Sequence, residues 1–128
     1  MKGKHILIVD DDGDFVASLE ACFKAKGYRV STAAEGASAI DVAKQARPDV
    51  ILLDVMMTTD TEGIEVSRKI AETPELRGTP VILLTGIRTA RSLPFAPSPD
   101  ENWLPVKSVL EKPIPLDRIL DAIRRLIG

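Results

Sequence analysis

Four short segments in this chain, three of them apolar runs, each lead into residues able to handle charge. His5-Ile6-Leu7-Ile8-Val9 leads into Asp10-Asp11-Asp12, and Val50-Ile51-Leu52-Leu53 into Asp54. Val81-Ile82-Leu83-Leu84 leads into Thr85-Gly86, and Val106 to Leu110 into Glu111-Lys112. Ionised, Asp10, Asp11 and Asp54 sum to -3. At about 4 Å separation each like pair costs on the order of 4 kcal/mol at an effective dielectric near 20, so the set calls for a cation. Hard oxygen donors with open positions suit Mg²⁺, which holds a few carboxylates and keeps waters that a phosphate can displace. Mg²⁺ and the ammonium of Lys112 would bring the formal sum to zero.

A carboxylate in such a place can attack phosphorus and form an aspartyl phosphate. Phosphoryl transfer chiefly needs alignment and neutralisation of the equatorial oxygens, which a metal and an ammonium supply. Asp54 is the candidate nucleophile, because it flanks the acidic cluster. Lys112 would contact a phosphate oxygen, Thr85 offers a hydroxyl able to reorient toward a phosphate, and Gly86 leaves room beside it. Each residue also has a plainer reading. An aspartate after a strand caps turns. Asp10 to Asp12 suit the positive end of a helix, with Asp12 as the cap and outside the site. A single lysine is usually a solvated surface residue, and a threonine is ordinary at a strand end. His5 reads as structural, and Cys22 as a small core residue. It is the joint occurrence at strand ends that favours chemistry.

These roles require the four segments to be strands of one sheet ending at one edge. Val50 to Leu53 is too short for a helix and does not alternate, the pattern of a strand covered on both faces. Between the runs lie helical patterns, from about Asp14 to Lys26, Ala37 to Ala46 and Gly63 to Glu72, with a further strand over Tyr28 to Ala33. Gly27 and Pro48 supply stops. The last helix, Leu116 to Ile127, carries a single apolar stripe of Leu116, Ile119, Leu120, Ile123, Leu126 and Ile127. Strand and helix alternation predicts an α/β doubly wound, five-stranded parallel sheet with right-handed crossovers. The flavodoxin-like order 2-1-3-4-5 is the common solution, and it brings Asp10, Asp11, Asp54, Thr85 and Lys112 to one edge.

The 128 residues fit one domain with one core. A net charge of -2 argues against a dedicated nucleic-acid binder. The single cysteine allows no internal disulfide and suits a cytoplasmic protein. The basic start Met1-Lys2-Gly3-Lys4 leads into an apolar segment too short for a signal peptide or membrane span.

The pieces Ile6 to Asp12, Leu52-Leu53-Asp54-Val55-Met56-Met57, Leu83-Leu84-Thr85-Gly86 and Glu111-Lys112-Pro113 resemble the receiver domain of two-component response regulators, including the chemotaxis regulators. The resemblance runs over essentially the whole chain, as a single receiver domain of residues 1–128. It implies that Asp54 is the phosphoacceptor, that Asp11 and Asp54 bind Mg²⁺ directly, and that Asp10 acts through water. It also implies that the backbone carbonyl of Met56 completes the metal ligands, and that Thr85 and Lys112 are the switch hydroxyl and the phosphate-binding lysine. The implied donor is a sensor histidine kinase or phosphotransfer protein.

Three features depart from that pattern. The loop after Asp54 has Thr58 near the usual position of a proline and reaches Gly63 one residue late. Gly86 to Pro105, where receivers carry a fourth helix, is longer and holds Pro94, Pro97, Pro99 and Pro105, so that helix is expected to be shortened or replaced by a loop. Val109 stands where a switch aromatic is usual, which leaves Phe95 and Trp103 of the proline-rich stretch as candidates for the conformational element. Two functions compete. One is a phosphorylated module, with no output segment of its own, that signals by contact with a downstream protein. The other is a receiver-like interaction domain that takes no phosphate. A flavin- or nucleotide-binding protein is disfavoured, since three aspartates after the first strand repel a phosphate that no metal bridges.

Overall fold

Successive residues of the apolar runs 6–9, 50–53 and 81–84 face opposite sides of one sheet in the computed structural model, which describes residues 4–54, 62–86, 108–112 and 114–127. In chain order the elements are β1 His5–Val9, α1 Gly13–Ala25, β2 Arg29–Ala33, α2 Gly36–Ala46, β3 Val50–Asp54, α3 Glu62–Glu72, β4 Val81–Gly86, β5 Ser108–Lys112 and the C-terminal helix α4, Leu116–Ile127. Every strand pairing is parallel, and the order across the sheet is β2-β1-β3-β4-β5.

The absence of polar/apolar alternation in β1 and β3 has its reason in two separate cores. Leu7, Ile51 and Leu53 pack on one face, beneath Ala39 and Ala43 of α2 and Val66 and Ile70 of α3. Ile6, Ile8, Val50 and Leu52 pack on the other, against Leu19 and Phe23 of α1 and Ile119, Leu120 and Ile123 of α4. Small side chains on α2 let that helix lie close to the sheet, while α1 meets it through Phe23, whose ring sits edge-on to Tyr28 at 6.3 Å.

The stops act through backbone geometry. Gly27 takes φ 94° after α1, and Arg47 adopts a left-handed φ of 50° after α2. Pro48 follows and cannot continue the helix. At the amino edge of the sheet, the His5 N–H donates to Asp49 Oδ2 at 2.7 Å, and the Asp49 N–H donates to the His5 carbonyl at 2.7 Å. The His5 ring meets Ser31 Oγ through Nε2 at 2.7 Å. His5 is thus a structural residue, at the end of the sheet opposite the aspartates.

Three details differ from the sequence-based expectations. The last strand extends to Lys112, because its pairing with β4 continues through Thr85↔Glu111 and Gly86↔Lys112. Leu116, expected on the apolar stripe of the last helix, is 38% exposed and is not among the residues packed on the core. Cys22 is only half-buried, at the margin of the α1 core. The expectations for Gly86 to Pro105 beyond Gly86 lie outside the described residues, as does Met56.

Candidate functional site

Winding reverses between β1 and β3: β2 lies to one side of β1, and β3, β4 and β5 to the other. At such a reversal the loops leave in opposite directions and open a crevice at the carboxyl ends of the strands. The register Val9↔Leu53 then sets Asp10 and Asp54 side by side at the mouth of that crevice. Asp10 still donates its N–H to the Ala33 carbonyl at 3.1 Å, so its backbone continues the ladder with β2.

Carboxylate oxygens of Asp10, Asp11 and Asp54 all lie within 4.8 Å of one another. Asp10 and Asp54 are buried, at 3% and 6% exposure, and Asp11 is exposed. Two carboxylates therefore form a floor and the third a rim. Hard oxygen donors at this spacing, open to water on one side, fit Mg²⁺, which dehydrates reluctantly and keeps several waters. They do not fit a soft metal, for which thiolate and imidazole are the usual ligands; among the described residues no cysteine or histidine joins the group.

Asp10 is held from the next loop: its Oδ1 accepts the Asp12 N–H at 2.9 Å. Asp12 also caps α1, its Oδ1 accepting the Phe15 N–H at 3.2 Å. The cap expected of Asp12 is present, and the contact from its backbone to Asp10 is one that sequence reasoning missed. A D-D-D run announces a cap, but nothing in it says that the same residue's amide turns back toward the first acid.

Thr85 and Lys112 are placed by their backbones. Asp54 is level with Leu84, so Thr85 stands one residue past Asp54 on the neighbouring strand. Lys112 pairs with Gly86 at the same carboxyl edge. The sheet thus gathers Asp10, Asp11, Asp54, Thr85 and Lys112 along one edge, over four strands.

Comparison with known proteins agrees with this geometry. The family model described as the response regulator receiver domain matches residues 6–124. Response regulator PleD of Caulobacter vibrioides is 45% identical over 83 residues, which is 65% of this chain; the match spans 18% of that relative's length. The polar-differentiation response regulator DivK of Brucella anthropi is 29% identical over 98% of this chain and 97% of its own. Among solved structures, the receiver domain of a sensor histidine kinase from Pseudomonas aeruginosa superposes with a TM-score of 0.81 at 28% identity, covering 98% of both chains. That structure has a magnesium ion coordinated in its active-site cleft. With the family match running from the first strand into the last helix, the chain belongs to the response regulator receiver domains of two-component systems.

Proposed function

We propose that this chain is a phosphoacceptor signalling module that takes a phosphoryl group onto Asp54. The observation that carries the proposal is the meeting of Asp10, Asp11 and Asp54 within 4.8 Å at the winding reversal, two buried and one exposed. Nothing else about a parallel α/β sheet requires three carboxylates to converge there. Desolvating like charges together is unfavourable unless a cation is the intended occupant.

In this reading Asp11, Asp54 and the Met56 carbonyl are direct ligands of Mg²⁺, and Asp10 acts through water. Bound there, Mg²⁺ would neutralise charge on the phosphoryl oxygens. The donor is the phosphohistidine of a sensor histidine kinase or phosphotransfer protein. Asp54 Oδ attacks phosphorus, the P–N bond breaks as the P–O bond forms, and the departing imidazole regains a proton. Lys112 serves the phosphoryl oxygens from two strands away. Thr85, nearer by one strand, is the hydroxyl that answers the new phosphate.

The output is a change in contact with a downstream protein: phosphate biases a two-state equilibrium. The setting is the cytoplasm, with neither direct nucleic-acid binding nor membrane insertion. Among the described residues no helix is long and apolar enough to cross a membrane, and the net charge of -2 gives no basic excess. The whole of residues 1–128 acts as one domain. In this reading Phe95 and Trp103, of the proline-rich stretch from Gly86 to Pro105, carry the response to the phosphate.

The test is incubation with acetyl phosphate and Mg²⁺ followed by intact mass. Wild type gains the mass of one phosphoryl group, and Asp54→Asn gains none. Absence of any gain in wild type would sink the proposal and leave the interaction domain that takes no phosphate. Trp103 fluorescence should change in the same incubation; a silent tryptophan would remove it from the response.

A further inference from the structure

The function proposed above uses the first two aspartates of the run and leaves the third as a helix cap. The hydrogen bonds of Asp12 connect it in both directions. Its N–H donates to Asp10 Oδ1 at 2.9 Å. Its Oδ1 accepts the Phe15 N–H at 3.2 Å, and its carbonyl accepts the Val16 N–H at 3.0 Å. Its φ of -82° and ψ of 96° are extended, as at a helix cap. Asp12 itself is exposed, so packing does not hold it in place. What fixes the direction of its N–H is the pair of bonds into the first turn of α1.

We propose that Asp12 is a positioning residue for the cation site: its carboxylate, by capping α1, fixes the backbone amide that orients the Asp10 carboxylate. This rests on the proposed function, because it assumes that Asp10, Asp11 and Asp54 hold Mg²⁺. A cap needs only the carboxylate-to-Phe15 bond. The additional bond from the Asp12 amide to Asp10 makes the cap matter to a metal. Releasing it frees the peptide before α1 to rotate, and Asp10 Oδ1 loses the Asp12 amide as one of the groups that hold it. Groups that hold a metal's ligands in this way contribute to affinity without touching the ion.

The test compares Mg²⁺ affinity in wild type, Asp12→Asn and Asp12→Ala, by titration at a temperature where circular dichroism shows all three fully folded. Asn keeps the cap and removes the charge; Ala removes both. Asp12→Asn should bind within about twofold to threefold of wild type, because one exposed charge is screened at physiological salt. Asp12→Ala should weaken Mg²⁺ on the order of tenfold. Equal affinities in the Asn and Ala variants, whether both kept or both weakened, would overturn the proposal, reducing Asp12 to a cap or to a charge. Absence of Mg²⁺ binding in wild type would instead sink the proposed function. Unfolding midpoints without Mg²⁺ complete the comparison: a purely structural cap lowers the midpoint of the Ala variant while leaving affinity in the folded protein unchanged.

Discussion

Single residues here act through what surrounds them. His5 is 8% exposed and has its ring bonded to Ser31. Burial first, and the Arg29 guanidinium second, hold its pKa below the usual 6.5, against the opposing pull of Asp49 and the Ala46 carbonyl. The native protein therefore binds fewer protons than the unfolded chain as pH falls through about 6.5, so this contribution to stability is complete above that value and lost below it. Urea midpoints should fall between about pH 7.5 and about pH 5.5 by more in wild type than in His5→Gln; equal falls would show that other groups carry the dependence. Arg47 offers a second case. Its φ of 50° costs a side-chain-bearing residue roughly 1 to 2 kcal/mol. Glycine removes that strain but loses about 0.5 to 1 kcal/mol through its freer unfolded chain. Arg47→Gly should accordingly stabilise the protein by about 0.5 to 1 kcal/mol in equilibrium denaturation.

At the scale of elements, the last helix shows how far pattern reading reaches. Its bounds and its inward face were legible from apolar spacing, and Ile119, Leu120 and Ile123 are buried against the sheet. Periodicity could not show that Leu116, on the same stripe, stays 38% exposed. Ile123→Ala should therefore cost about 2 to 5 kcal/mol by leaving a cavity. Leu116→Ala should cost less than about 1 kcal/mol, because it empties no packed space. Similar losses for the two would mean that α4 docks differently. The cap of α1 was legible from residue type: Asp12 is a capping residue, and it caps. The bond from its amide to Asp10 was not legible, because it depends on backbone angles that the residue type permits without demanding.

For the whole molecule, a ligand that binds only the folded state stabilises it by mass action. At about 100 times its dissociation constant, Mg²⁺ should add roughly 2.7 kcal/mol to the unfolding free energy. Asp11→Asn should reduce that gain, as seen in thermal midpoints with and without Mg²⁺. An unchanged gain would exclude Asp11 as a ligand. The sequence by itself determined the parallel α/β layering and the candidate residues, because uninterrupted apolar runs require cover on both faces and each run leads into charged or hydroxyl-bearing residues. Only the tertiary structure decided that Asp10 and Asp54 become neighbours, since that depends on which strands pair and in what register. It also decided that two of the three carboxylates are buried while Asp11 stays at the surface. Burial follows from how the strand ends and the first helix pack around the crevice, and residue order alone does not contain that distance.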